Sequence, residues 1–502
     1  MFDQIGAGIE ALTPKSERKI TWLWVATIAI LSICAIMSLW FPVLRIGSLP
    51  SLNYNEGWNV YRQRMTIEGQ PLYGQQPRLW ITNYPFLSFH LVGMLGAAIG
   101  NMVLAGRIVS LASLIIIAAL VGGIVRIAGG STRGGIYAGL CLLLWIATFT
   151  PDRRAMDDPE LLGEAIATLG LLAYIKAPKT ALWLSLSALA FAAGMFTKQD
   201  TIALPLSVGV HILVTRNWRA LALWCAVGIV AASLLLILTY SLDGPYLFAA
   251  LLWPRAYSVP QLIIHGIIYL FYFGAPVAIC ITLLLRCGGI PYRGLLLILL
   301  IVTNIISLYF AGGDGTGLNI FYPPLIAFAV TCGIIICFLE RARTKTTKAH
   351  LAFIAALIVP AFASAQHVPH RIIMDLAIQR NLPATTAAAQ RTSALLRSVD
   401  GPAFCEDILL CYGAGKPLDY DPYFVNDQIS IGRLKESDVL AMLISHHYAV
   451  IEIGTVDTPI ATKSFRFTKA FMQTLLAEYK PVLTDGMYTV FEPRGAAVAD
   501  IR

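Results

Sequence analysis

Apolar residues dominate most of this chain and come in long runs. Runs over 20–42, 102–125, 134–149, 161–175, 181–196, 202–214, 221–240, 262–285, 295–310, 320–339 and 351–365 are separated by short polar loops. Most approach the roughly 20 residues that cross a bilayer, which predicts about eleven membrane spans. The first run is too long for the apolar segment of a cleaved signal peptide. A shorter run, 85–99, holds about 15 residues, too few to span comfortably. It reads as a helix lying along the outer membrane surface, with Trp80 and Tyr84 as interfacial anchors. Beyond 366 the pattern changes to that of a globular segment. Helical spacing over 371–399 (interrupted at Pro383), 438–445 and 468–479 alternates with strand-like 448–453 and with 482–483 and 488–491 around Asp485-Gly486.

Composition agrees. Hydrophobic residues make up 57% and charged residues 13% of the chain, and the mean hydropathy is +0.69; a soluble chain carries about 25% charged residues. The fold class expected is mostly α: a polytopic transmembrane helix bundle over 1–366, with an outer loop at 43–84, and a small α/β domain over 367–502. The net charge of +8 is not a nucleic-acid footprint, because the Lys and Arg fall in short loops as membrane topology requires. Lys15, Arg18 and Lys19 put the N-terminus in the cytoplasm. Arg126, Arg133, Lys176, Lys179, Arg216, Arg219, Arg286, Arg293, Arg341, Arg343, Lys345 and Lys348 then alternate with acid-bearing outer loops, leaving the C-terminal domain outside. Of nine cysteines, seven lie in or beside apolar runs and read as small hydrophobes. For Cys405 and Cys411 a disulfide and two free thiols both stay open.

Ionisable residues beside membrane segments are costly to keep there, so they mark candidate chemistry. Glu56, in Tyr54-Asn55-Glu56-Gly57-Trp58, is placed to act as a general base, or more plainly to cap a helix starting near Gly57. Arg153 and Arg154 suit a phosphate oxyanion. Asp157 and Asp158 suit a sugar hydroxyl or a metal, or else the helix start at Pro159-Glu160. Lys198 is a cation on the face where cations are disfavoured, which points to an anionic ligand or to snorkelling among headgroups. Arg255 is placed to hold a phosphate, and the glycine-rich turn 312–317 leads to Asn319 and Tyr322, close to where a ligand would sit. His446-His447 reads as surface polarity rather than a metal site.

The order of these motifs resembles the GT-C membrane glycosyltransferases, in particular family 39-like enzymes related to aminoarabinose and protein mannosyl transferases. The resemblance rests on Asn55-Glu56-Gly57-Trp58, Gly69-Gln70-Pro71-Leu72-Tyr73, Tyr84-Pro85-Phe86-Leu87 and Gly106-Arg107-Ile108-Val109-Ser110. Thr197-Lys198-Gln199 and Asn319-Ile320-Phe321-Tyr322 extend it. It implies a polyprenyl-phosphate sugar donor, inverting transfer to a glycan, lipid or protein acceptor, and a site at the outer face of a bacterial cytoplasmic membrane. Glu56 would be the base. Arg153, Arg154, Lys198 and Arg255 would hold the donor phosphate, with Asp157, Asp158, Tyr84 and Asn319 lining the substrate site. The family's first-loop Asp-Glu is here Asn55-Glu56, so one carboxylate remains where two would bridge a divalent metal, and the need for a metal stays open. Two other readings are a transporter or flippase for a lipid-linked saccharide and a scaffold without activity. A transporter should show internal repeats and charges at mid-membrane; no clear repeat is present.

Overall fold

The computed structural model describes residues 14–74, 79–342, 347–454 and 466–495. Arg343 and Lys345, counted above in the cytoplasmic charge pattern, lie outside the described residues, as do the side chains of Lys15 and Lys348.

The bundle begins with α1 (Pro14–Arg45), followed by two short helices, α2 (Asn55–Ile67) and α3 (Leu87–Ile99). Then come α4 (Met102–Gly129), α5 (Thr132–Phe149), α6 (Pro159–Lys176), α7 (Ala181–Thr197), α8 (Ala203–Val214), α9 (Trp218–Asp243) and the short α10 (Leu247–Leu251). It closes with α11 (Val259–Tyr269), α12 (Ala275–Arg286), α13 (Arg293–Phe310), α14 (Tyr322–Ala342) and α15 (Thr347–Ala365). A π turn, Leu270–Gly274, joins α11 to α12. Among the described residues eight helical segments are long and apolar enough to cross a membrane, and the chain is a multi-pass membrane protein. The acid-bearing α6 and the shorter α7 and α8 pack among them.

The most hydrophobic window of α14 is 100% buried, whereas that of α9 is 6% buried. This places α14 at the centre and α9 at the rim, with Ile229, Val230, Leu234 and Ile237 facing outward. Apolar side chains exposed in this way along a whole helix face suit lipid rather than water. At one end of the bundle the loops close with side-chain caps: Asp158 accepts from the Glu160 amide to start α6, and Pro159 takes the first helical position.

After α15 comes α16 (Val368–Ser398), one unbroken helix in which the expected interruption at Pro383 is absent. Pro383 lies on the exposed side, where water can satisfy the carbonyl it leaves free. The first turns of α16 pack on the bundle and its last turns on a small sheet, so the boundary expected at 366/367 falls at the turn before a helix shared by both parts. The remaining elements are β1 (Ala403–Cys405), α17 (Ile408–Gly413), α18 (Pro422–Ser430), α19 (Glu436–Ile444), β2 (Val450–Gly454), α20 (Lys469–Glu478), β3 (Tyr479–Asp485) and β4 (Tyr488–Pro493). The sheet order is β1-β2-β4-β3; β1 runs parallel to β2, and β4 runs antiparallel to both of its neighbours. A two-residue turn at Gly486 closes the hairpin. Cys405 and Cys411 form a disulfide.

This domain sits on the loops at one end of the bundle. Ser51 donates to Asp407 at 2.9 Å, the Tyr54 hydroxyl to Asp421, and Trp253 to Gln428 at 2.8 Å. At Gly57 a Cβ would collide with the backbone of α17, so glycine is required for the close approach of α2 to the domain.

Candidate functional site

Two buried charge clusters lie side by side at this end of the bundle, and Asp157 and Asp158, adjacent in sequence, point one into each. The first is built around Glu56 in the opening turn of α2. Its Oε1 accepts from Arg107 Nε at 2.9 Å and from the Asp157 amide at 3.0 Å. Its Oε2 accepts from Arg107 Nη2 at 2.8 Å and from the Leu52 amide at 2.6 Å. Arg107 donates its remaining N–H groups to the carbonyls of Ile46 (3.2 Å), Ser48 (2.5 Å) and Pro50 (3.0 Å). Both side chains are fully buried. Beside them the Asp157 carboxylate accepts two bonds from Gln63, each 2.8 Å, and Asn59 holds the Asp157 carbonyl at 2.7 Å. Burial, and then the neighbouring Glu56 charge, push the Asp157 carboxyl well above the usual carboxylate range. A Cβ at Gly106 would overlap that carboxylate, which is why glycine precedes Arg107.

The second cluster gathers around Lys198, at the end of α7. Lys198 Nζ lies 2.6 Å from Glu160 Oε2 and 3.4 Å from Asp158 Oδ1, and 4.5 Å above the ring of Tyr84. Arg153 reaches Asp158 Oδ2 at 3.0 Å. Asn319, in the 3₁₀ turn Leu318–Phe321, donates to Glu160 Oε2 at 2.7 Å. Burial alone would raise the Asp158 carboxyl, but Lys198 and Arg153 together hold it below the usual range. Glu160 Oε1 and Asn319 Oδ1 are buried and accept from no described residue. Arg255 lies nearby, exposed, its charge felt at the Tyr84 phenol. It forms no hydrogen bond or ion pair with a described residue.

The outcome for the expected site residues is therefore divided. Arg153, Asp158, Lys198, Tyr84 and Asn319 converge, with Arg255 beside them. Arg154 does not join them. It is buried and engaged by Asp375 at 2.7 and 2.8 Å, by the Ser38 carbonyl at 2.6 Å and by the Pro151 carbonyl at 2.9 Å. It ties α16 and α1 to the loop before α6, with four of its five N–H donors engaged there. Glu56 and Asp157 are turned into the first cluster. Both Glu56 oxygens already accept two bonds each, and the side chain ties the first loop to α4 and to the loop before α6.

Two residues of consequence were missed. Arg107 stood inside an apolar run, where a lone cation needs an acid partner at the same depth. Glu160 read as a helix-start acid of the kind the helix dipole favours. His446 and His447 pair with Glu478 and Asp419 at the surface. Among the described residues no three His, Cys, Asp or Glu side chains group to hold a metal ion.

Apolar helices with a charged cluster at one end and a small mixed domain over it make a fold that solved structures share. ArnT from Cupriavidus metallidurans bound to undecaprenyl phosphate superposes with a TM-score of 0.61 at 14% identity, over 94% of this chain and 98% of that one. The Archaeoglobus fulgidus oligosaccharyltransferase in its apo form gives 0.55 at 9% identity, over 92% and 74%. The same organism's AglB, in complex with an inhibitory peptide and a dolichol-phosphate, gives 0.51 at 10%, over 94% and 75%. No family model and no curated protein matches the sequence. The GT-C fold expected from the first-loop motifs is the fold found.

Proposed function

We propose that this chain is a membrane glycosyltransferase that takes a sugar from a polyprenyl-phosphate carrier. It passes the sugar with inversion to an acceptor at the outer face of a bacterial cytoplasmic membrane, with eleven crossings and the C-terminal domain outside. The observation that carries the reading is the second cluster: cations set beside a carboxylate with a free oxygen, at one end of a fold whose solved neighbours bind lipid phosphates. Arg153 and Arg255 hold the donor phosphate, which departs with the electron pair of the broken anomeric C–O bond; fixed cations stabilise that charge as it develops. Glu160 is the base. Its Oε2 is fixed by Lys198 and Asn319, and its Oε1 receives the proton of the attacking acceptor hydroxyl. Asp158 keeps Lys198 and Arg153 in place, and Tyr84 with Asn319 lines the sugar position.

The test is transfer from a labelled polyprenyl-phosphate sugar panel in membranes carrying wild type, Glu160→Gln or Glu56→Gln. Glu160→Gln leaves Lys198 paired with Asp158, so it is expected to keep most of its thermal stability and to lose turnover by about 10²–10⁴-fold. Glu56→Gln is expected to lose yield and thermal stability first. A Glu56→Gln protein of native stability without transfer, beside an active Glu160→Gln, would return the base to Glu56. No transfer by wild type from any donor would count against the whole reading.

A further inference from the structure

On another side of the bundle a cavity of about 290 Å³ opens between α5, the α11–α12 pair and the junction of α15 with α16. Its walls are aromatic and apolar: Trp145 and Phe149 from α5, and Tyr272 and Phe273 from the π turn. π turns insert an extra residue into a helix and concentrate at functional sites. Its rim is cationic or protonatable, made by His367, His370 and Arg371, and no carboxylate lines it. The His367 ring stands edge-on to Tyr272, and its Nε2 is buried without a partner among the described residues.

Arg371 is half-buried, and its guanidinium forms no hydrogen bond or ion pair with a described residue. The two acids near it are already engaged, Asp375 by Arg154 and Asp152 by Asn53 and Arg153. A half-buried guanidinium that makes no ion pair keeps its N–H fork open to an anionic ligand. The rim also sits where the apolar run of α15 ends at Ala365, the depth at which a phosphate headgroup meets its hydrocarbon tail.

We propose that this cavity binds an anionic phospholipid of the surrounding leaflet, its phosphodiester held by Arg371 and His370 and the start of its acyl chain among Phe149, Tyr272 and Phe273. The site does not depend on the transfer reading, because it is tested by melting rather than by turnover. Full-length protein in uncharged detergent is titrated with dioctanoyl phosphatidylglycerol, dioctanoyl phosphatidylcholine and inorganic phosphate. A ligand that binds only the folded state raises the melting temperature with its concentration. Phosphatidylglycerol is expected to raise it, and the other two to leave it near the starting value.

In Arg371→Ala/His370→Ala the half-saturating concentration should rise at least tenfold. Removal of two side chains without protein partners should leave melting without lipid unchanged. Ile268→Trp, which fills the apolar end and leaves the cations in place, should abolish the shift as well. Equal shifts with phosphatidylcholine, or an unchanged response in the double variant, would overturn the site. A full shift with inorganic phosphate would overturn the lipid as its occupant.

Discussion

The Glu56–Arg107 pair and the Lys198–Glu160 pair are both buried ion pairs at the same end of the bundle, yet they are finished differently. Around Arg107 all five N–H donors are used and both Glu56 oxygens are saturated. Among the described residues, the amide oxygens of Asn59 and Gln63 beside the first pair and of Asn319 beside the second all lack donors, but only at the second is a charged atom left open: one Glu160 oxygen, with the unpaired Arg255 nearby. A closed network fixes the chain; an open one is completed by a ligand. Buried pairs contribute little net stability, because desolvation offsets the attraction, but removing one partner leaves an uncompensated charge. The closed pair should therefore govern folding and the open pair activity.

The hardest blow to that contrast is Arg107→Ala. It leaves Glu56 buried with two backbone donors and should cost about 3–5 kcal/mol, a large part of the 5–15 kcal/mol that holds a typical protein folded. Yield and melting temperature should collapse, and Arg107→Lys should rescue little, since an ammonium cannot reproduce the bidentate fork. Melting close to wild type with transfer lost would move Glu56 into the reacting site. A smaller effect is expected on the open side. Arg255→Ala should leave melting unchanged and lower kcat/KM for the donor by roughly ten- to a hundredfold, the loss of one hydrogen bond to a charged group. An unchanged kcat/KM would remove Arg255 from the phosphate.

The same contrast explains what could be read from the sequence. Arg153, Asp158, Lys198 and Asn319 were legible because polar residues at the ends of apolar runs share a depth, and the bundle brings run ends together. The division between Asp157 and Asp158 was not legible. Both precede Pro159, and only the packed position of Gly106 and Gln63 turns one carboxylate away from the other. Arg153 and Arg154 separate in the same way, the second drawn off by Asp375, more than two hundred residues later. Such long-range partners leave no local spacing signal. The helices of the bundle were legible from apolar periodicity alone, whereas the continuity of α16 through Pro383 was hidden, because the tolerance of proline depends on which side of the helix meets water.

The smallest effect sharpens the comparison at its edge, where the C-terminal domain meets the closed cluster. Asp407 accepts from Ser51 and caps α17 through the Leu409 amide. Burial, with a contribution from Glu56, pushes its carboxyl up to about 6. A carboxyl raised above its unfolded value near 3.9 favours the protonated native state. Its stabilising contribution is therefore full below about pH 4 and lost as the pH rises through 6. Asp407→Asn keeps an oxygen for the Leu409 amide, lets its NH2 donate to the Ser51 hydroxyl in place of the bond Ser51 gave, and removes the charge. It should raise stability at pH 7.5 by less than about 2 kcal/mol after allowance for partial exposure, and by roughly a third of that at pH 4.5. Melting curves of the two proteins at the two pH values decide it. A gain of equal size at both would mean that Asp407 does not titrate in this range, and that the charge of Glu56 is not felt across the interface.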